Sequence, residues 1–378
     1  MGVLLDMMEW TPMSVAAVWE YIARNWAMVG ISATIAVLTV IPWVILRKYI
    51  RIALNLMDDA APPVWPESRE TPPMDGASVS FSAFDGHSLR GTMLRSAPSL
   101  PKKGAIIFAH EFGSDRRSYY RHCEPLRAAG YDVFAFDFRG HGDSPPEEGY
   151  RPRQFPSDRE QSDMLGAIAY VEDLLEREGR PRDVGLFGLS RGAGAALVAS
   201  VDLQSVKAIV VDGAYSSDAT LEFFLKRWAN IFAKLRFVYE NHPRTFWRFL
   251  RWMIFRKAQR VFRCRFPSVR KAIRRLGSVP LLFIHGERDT FIPPEQARML
   301  HDIATGPKAL WIVPCARHNQ SVVVQPPEYA RRIVAFFDRH LDVERSKGRK
   351  VQRSKGRNVL TVRTNAFAGA FSPGRSDP

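Results

Sequence analysis

The chain is 378 residues long, 46% hydrophobic and 25% charged, and its 54 Lys and Arg against 39 Asp and Glu give a net charge of +15 at pH 7. That length and apolar content suit one large core with an appendage or two, and the positive balance points to an acidic surface as partner, nucleic acid or anionic lipid. Cys123, Cys264 and Cys315 are odd in number and match no metal-ligand spacing, which excludes a thiolate metal centre; they are read as reduced, with Cys315 a packed thiol.

Residues 1–24 form an N-terminal segment with Asp6, Glu9 and Glu20 and no Lys or Arg before Arg24. No charge follows over 25–46, and twenty of those residues, 27–46, are mostly Ala, Val, Ile, Leu and Trp. This length spans a bilayer as a helix, and Trp26 and Trp43 stand where amphipathic rings favour the interface. A cleaved signal peptide would need early basic residues and a shorter apolar run, so a retained transmembrane helix is expected. Arg47, Lys48 and Arg51 outnumber Arg24, which puts the C-terminal bulk in the cytoplasm. Residues 47–77 are a juxtamembrane segment and linker, held extended by Pro62, Pro63, Pro66, Pro72 and Pro73.

From residue 78 the pattern changes. Two strands joined at Asp85-Gly86 are expected over 79–94, followed by short, unalternating apolar runs at 105–109, 133–136, 184–187, 208–211, 281–284 and 310–313. Such runs are what parallel strands covered on both faces show, and a helix is expected over 158–178. Gly188-Leu189-Ser190-Arg191-Gly192 lies between a strand run and a small-residue helix run. The two glycines allow a sharp turn that lifts Ser190 Oγ clear of the sheet.

Further motifs fall in order around that turn: His110-Glu111-Phe112-Gly113, Asp137 to Ser144, and His285-Gly286-Glu287-Arg288-Asp289. With them, residues 78–341 resemble α/β-hydrolases of the serine-nucleophile type. The resemblance implies a mostly parallel sheet flanked by helices, with Ser190 as nucleophile, His318 in the loop after the last strand as base, and Asp289 as acid. Asp212, after the 208–211 strand, is the rival acid. The oxyanion would be met by the backbone N–H groups of Arg191 and Phe112. Relatives commonly carry Gly directly after the motif histidine; here Glu111 stands there. Asp137 and Arg139 are expected to pair beneath a non-catalytic turn. His110, His141, His285 and His340 are assigned no catalytic part. The mechanism implied needs no metal and no organic cofactor.

The stretch between the 208–211 and 281–284 strands is too long for one crossover helix, so a helical lid is expected over about 214–278. Residues 220–278 hold sixteen Lys and Arg against two Glu, nearly the whole excess of the chain, with Phe and Trp interleaved. Such a segment suits anionic lipid headgroups, and equally a lid whose aromatic stripe covers the active site while its charges are solvated. Nucleic acid is disfavoured because no recognition module accompanies the charge. Residues 342–378, with the repeated Arg-Ser-Lys-Gly-Arg, form a basic tail too poor in apolar residues to pack. The expected protein is a membrane-anchored serine hydrolase acting on a small-molecule or lipid-like acyl ester or thioester. A serine peptidase, an acyltransferase and a non-catalytic membrane scaffold are the alternatives; the oligomeric state is not legible.

Overall fold

A computed structural model describes residues 14–59, 74–232 and 243–341. The expected N-terminal residues 1–13, the five linker prolines and the basic tail 342–378 lie outside them. Helix α1 (Val15–Arg24) is capped by Ser14, whose Oγ accepts from Ala17 N at 3.2 Å. Helix α2 (Trp26–Asp59) follows, and its stretch Trp26–Asn55 is long and apolar enough to cross a membrane, the most apolar 18-residue window within it having a mean hydropathy of 2.3 and no buried residue.

The apolar run ends at Leu46, and α2 continues for 13 residues beyond it, to Asp59, through the juxtamembrane segment. The reason is tertiary. Ala53 and Met57 are buried, with Ile50 and Leu54 partly so, against a helix of the insertion described below.

An eight-stranded sheet organises the rest. Strands β1 (Ala77–Ser82) and β2 (Ser88–Leu94) form the expected antiparallel hairpin. They are followed by β3 (Gly104–Ala109), β4 (Tyr131–Asp137), β5 (Val184–Leu189), β6 (Val206–Asp212), β7 (Leu281–Gly286) and β8 (Lys308–Val313). The spatial order is β1-β2-β4-β3-β5-β6-β7-β8, and β3 to β8 are parallel. β3, β4, β5 and β7 are buried at every position, as continuous apolar runs between two helical layers must be.

Helices α3 (Tyr119–Ala128), α4 (Asp158–Arg177) and α5 (Arg191–Ala199) connect the first strands. Ser157 and Glu160 close a capping box at the start of α4, satisfying N–H groups that no helical carbonyl reaches. Asp137 and Arg139 do not pair, contrary to the sequence expectation. Asp137 instead holds the Arg116 guanidinium, while Arg139 Nε donates to Asp163 Oδ1 at 2.8 Å and its guanidinium also pairs with Asp85 and Glu147. Their side chains leave the turn for different neighbours.

Between β6 and β7 lies a helical insertion, α6 (Ser217–Phe232), α7 (Arg244–Val261) and α8 (Val269–Arg275); residues 233–242 are not described. Trp247, Leu250, Ile254 and Ala258 line one face of α7 at helical spacing and share an apolar cluster with Ala53 and Met57 of α2. The chain closes with α9 (Glu295–Ile303), a short α10 (Ser321–Val324) and α11 (Pro326–His340). Cys123 and Cys264 are buried thiols, whereas Cys315 is exposed. It occupies an exposed turn with φ of 63° after β8 rather than a packed site.

Candidate active site

Ser190 stands between β5 and α5 with φ 48° and ψ −109°, a backbone region that side chains with a Cβ rarely adopt and that costs about 1–3 kcal/mol. Its neighbours explain how the turn fits. A Cβ on Gly188 would fall 2.5 Å from Ala193 Cα, and one on Gly192 would fall 2.5 Å from the His110 carbonyl oxygen. Only glycine lets β5, the start of α5 and the end of β3 approach so closely. Ser190 N–H donates to the Asp212 carbonyl at 2.8 Å, which ties the turn to β6.

That geometry brings together three residues singled out in the sequence. Ser190 Oγ lies 2.9 Å from His318 Nε2, and His318 Nδ1 lies 2.6 Å from Asp289 Oδ2. All three are buried. The loops carrying His318 and Asp289 are stitched by backbone bonds from Arg288 N–H to the Ala316 carbonyl at 2.8 Å and from Glu287 N–H to the Val313 carbonyl at 2.9 Å. Gly213, with φ 69°, lies under the imidazole: a Cβ there would fall 3.1 Å from His318 Cε1.

Asp289 is strongly buried, which pushes its carboxyl upward, yet hydrogen bonds from His285 and His318 outweigh burial and hold it well below the usual carboxylate range. Its other oxygen, Oδ1, accepts from Phe291 N at 3.0 Å and Ile292 N at 2.8 Å. The carboxylate is therefore ionised and fixed. The rival acid goes elsewhere: Asp212 accepts from Ser321 Oγ at 3.2 Å and Tyr329 Oη at 3.0 Å, and burial raises its carboxyl to about 6.

His285, set aside in the sequence, belongs to this cluster. Its Nε2 lies 2.8 Å from the Ile292 carbonyl and 3.2 Å from Asp289 Oδ2. Burial pushes its imidazole down, but the Asp289 carboxylate more than reverses that. The spacing His285 to Asp289, four residues across the end of a strand, was the signal for it.

Arg191 and Phe112 also meet. Arg191 is the first residue of α5, where the backbone N–H has no intrahelical acceptor, and its guanidinium carbon lies 5.0 Å from the centre of the Phe112 ring. Phe138 N–H donates to His110 Nε2 at 3.2 Å, so Nδ1 carries the proton and donates to the Glu111 carbonyl at 2.6 Å. Burial, with His141 and Arg191 nearby, holds His110 neutral, well below its usual range. In a trans peptide the N–H points opposite to the carbonyl, so this bond sets the direction of Phe112 N–H. Glu111 Oε2 accepts from Ser118 Oγ at 3.2 Å, and burial raises its carboxyl. Phe291 lies edge-on to His318 at 5.4 Å between centroids, and Phe224 of α6 stands 6.0 Å beyond it. Among the described residues no cluster of His, Cys, Asp and Glu could hold a metal ion.

The family model described as "Alpha/beta hydrolase family" matches residues 106–332. YfhR of Escherichia coli O157:H7, an uncharacterised protein, is 25% identical over 279 residues, which are 73% of this chain and 80% of that one. YqkD of Bacillus subtilis, also uncharacterised, is 25% identical over 286 residues, 71% of this chain and 85% of its own. Among solved structures, an esterase of Pyrococcus furiosus superposes with a TM-score of 0.53 at 22% identity, covering 74% of this chain and 96% of that one.

Proposed function

Because the chain belongs to the α/β-hydrolase family, we propose that it is a membrane-anchored serine hydrolase that cleaves a carboxylic ester or thioester bearing an apolar acyl group. The observation that carries this is the relay from Ser190 Oγ to His318 Nε2 at 2.9 Å and from His318 Nδ1 to Asp289 at 2.6 Å. A serine hydroxyl is a poor nucleophile until a base takes its proton, and an imidazole takes and returns protons at neutral pH.

Ser190 Oγ attacks the acyl carbonyl as His318 Nε2 accepts its proton, and the ionised Asp289 stabilises the imidazolium that forms. The oxyanion is met by the backbone N–H groups of Arg191 and Phe112. The tetrahedral intermediate collapses, the leaving alcohol or thiol takes the proton from His318, and the acyl group remains on Ser190. Water then gives its proton to His318 and attacks the acyl-enzyme, releasing the acid and restoring the serine. The esterase likeness and the rings of Phe112, Phe224 and Phe291 support an ester with an apolar acyl group as substrate. The apolar length of Trp26–Asn55 supports the anchor, and Arg47, Lys48 and Arg51 against Arg24 support a cytoplasmic catalytic domain.

Labelling of the detergent-solubilised protein with a fluorophosphonate tests the chemistry. Wild type should label, and Ser190→Ala and His318→Ala should not. A folded wild type that stays unlabelled with lipid present overturns the proposal.

A further inference from the structure

The α2 face that carries Trp43, Arg47 and Arg51 lies opposite the α7 face that carries Trp252, Arg256, Lys257 and Arg260, and the two enclose a groove of about 770 Å³. Five cations therefore face one space. Among the described residues none of them lies within ion-pair distance of a carboxylate. The single acid of the groove, Asp58, is already held by Arg153 at 2.8 Å and Arg151 at 3.6 Å. Two cations lie on aromatic faces, Arg47 over Trp43 at 4.5 Å and Arg256 over Trp252 at 5.3 Å. The walls are thus cationic heads beside apolar rings.

Depth along α2 identifies the occupant. Arg47 follows the uncharged run directly, and at 1.5 Å per helical residue Arg51 lies only about 8 Å past Leu46. The headgroup layer of a bilayer is roughly 5–8 Å deep on each side, so both cations fall within it if α2 spans. Trp252 lines the groove, and Phe249, stacked on it at 6.0 Å, extends that apolar surface along α7 outside the lining, each ring about half exposed. A soluble anion would use the cations and leave those rings in water; a lipid uses both.

We infer that the groove between α2 and α7 binds one anionic phospholipid, its phosphate among Arg47, Arg51, Arg256 and Lys257 and the start of its acyl chain against Trp43 and Trp252. This rests on the anchored reading of α2.

The full chain is placed in nanodiscs of phosphatidylcholine alone or of an equimolar mixture with phosphatidylglycerol, and the lipid retained after release into detergent is counted by native mass spectrometry. Wild type is expected to retain phosphatidylglycerol in preference to phosphatidylcholine. Each cation at an anionic surface is worth about fivefold in binding, so Arg47→Gln, Arg51→Gln, Arg256→Gln and Lys257→Gln together should reduce retention roughly tenfold or more. A control of equal charge, Arg263→Gln, Arg265→Gln, Lys271→Gln and Arg274→Gln in the insertion outside the groove, should stay within about twofold of wild type. Equal retention of the two lipids, equal loss in the control, or displacement of phosphatidylglycerol by inorganic phosphate overturns the site. Alkaline carbonate extraction of the wild type from membranes separates this failure from failure of the anchor, since a chain released by carbonate has no span and loses both proposals.

Discussion

His285 and His318 meet on one carboxylate oxygen, Asp289 Oδ2, at 3.2 and 2.6 Å. The first imidazole spends part of the charge that the second would use. Because His285 Nε2 also donates to the Ile292 carbonyl at 2.8 Å, it fixes the loop that presents Asp289. In His285→Phe the ring volume stays and the donor is lost, which leaves Asp289 a stronger acceptor. The acid limb of the kcat/KM profile on a p-nitrophenyl ester should move to higher pH. The kcat should fall about tenfold, the scale of one hydrogen bond of 1–1.5 kcal/mol, with KM little changed. An unmoved acid limb would make His285 a packing residue only.

Asp289→Asn and Asp212→Asn separate the two carboxyls that the sequence left as rivals. With the tautomer of His318 unheld, the first should lower kcat by about 10⁴-fold. Asp212 touches Ser321 and Tyr329 instead, and Asn keeps an acceptor for Tyr329, so most activity should survive in the second.

The same residue sets a pH dependence of stability. Asp212 titrates near 6 in the folded protein against about 3.9 unfolded, so between these values the folded state binds the extra proton and stability falls as pH rises. Asp212→Asn should flatten that part of a denaturant-midpoint profile and match or exceed wild type at pH 7. A steeper profile in the variant would mean that a group other than Asp212 takes up the extra proton on folding.

Ser190, Asp289 and His318 were singled out through the resemblance to serine-nucleophile α/β-hydrolases, and the fold brings their side chains within hydrogen-bond distance of one another. Six of the eight strands were legible as unalternating apolar runs and two as a hairpin around Asp85-Gly86, whereas their spatial order depends on pairings distant in sequence. What was not legible depends on distant partners. Residues 47–58 read as a juxtamembrane segment, and the apolar cluster that their helix joins is completed by α7, some 200 residues later. His285 read as part of a motif turn because its bond to Asp289 arises only once the loop after β7 folds back. Asp137 and Arg139, neighbours in sequence, were matched to each other when Arg116 and Asp163 lay closer in space.

Gly213→Ala tests how tightly the base is held. The residue adopts φ 69°, and the added Cβ would press on Asn319 Oδ1 at 2.8 Å and His318 Cε1 at 3.1 Å. Backbone strain alone should cost about 1–3 kcal/mol, lowering Tm by several degrees. If contact with His318 also matters, fluorophosphonate labelling should slow at temperatures where the variant is fully folded. Unchanged labelling would mean that the ring moves aside without loss.

The packing of α2 on α7 predicts different behaviour for two shortened chains. A chain beginning at Arg47 keeps Ile50, Ala53, Leu54 and Met57 against Trp247, Leu250 and Ile254, along with the Asp58 to Arg153 ion pair at 2.8 Å. One beginning at Met74 exposes that face of the insertion to water. Full burial of a side chain such as Met57 is worth about 1.5–3 kcal/mol, enough to order or release a helix whose own propensity is marginal. Hydrogen exchange should therefore quicken in α7 of the shorter chain while β3 and β5 keep their protection. Because Ile292 belongs to the same apolar cluster and the adjacent Phe291 lies against His318, the shorter chain should also turn over esters more slowly at equal folded fraction. Equal exchange in α7 of both chains would mean that 47–59 is only a tether, and that the insertion holds its own shape.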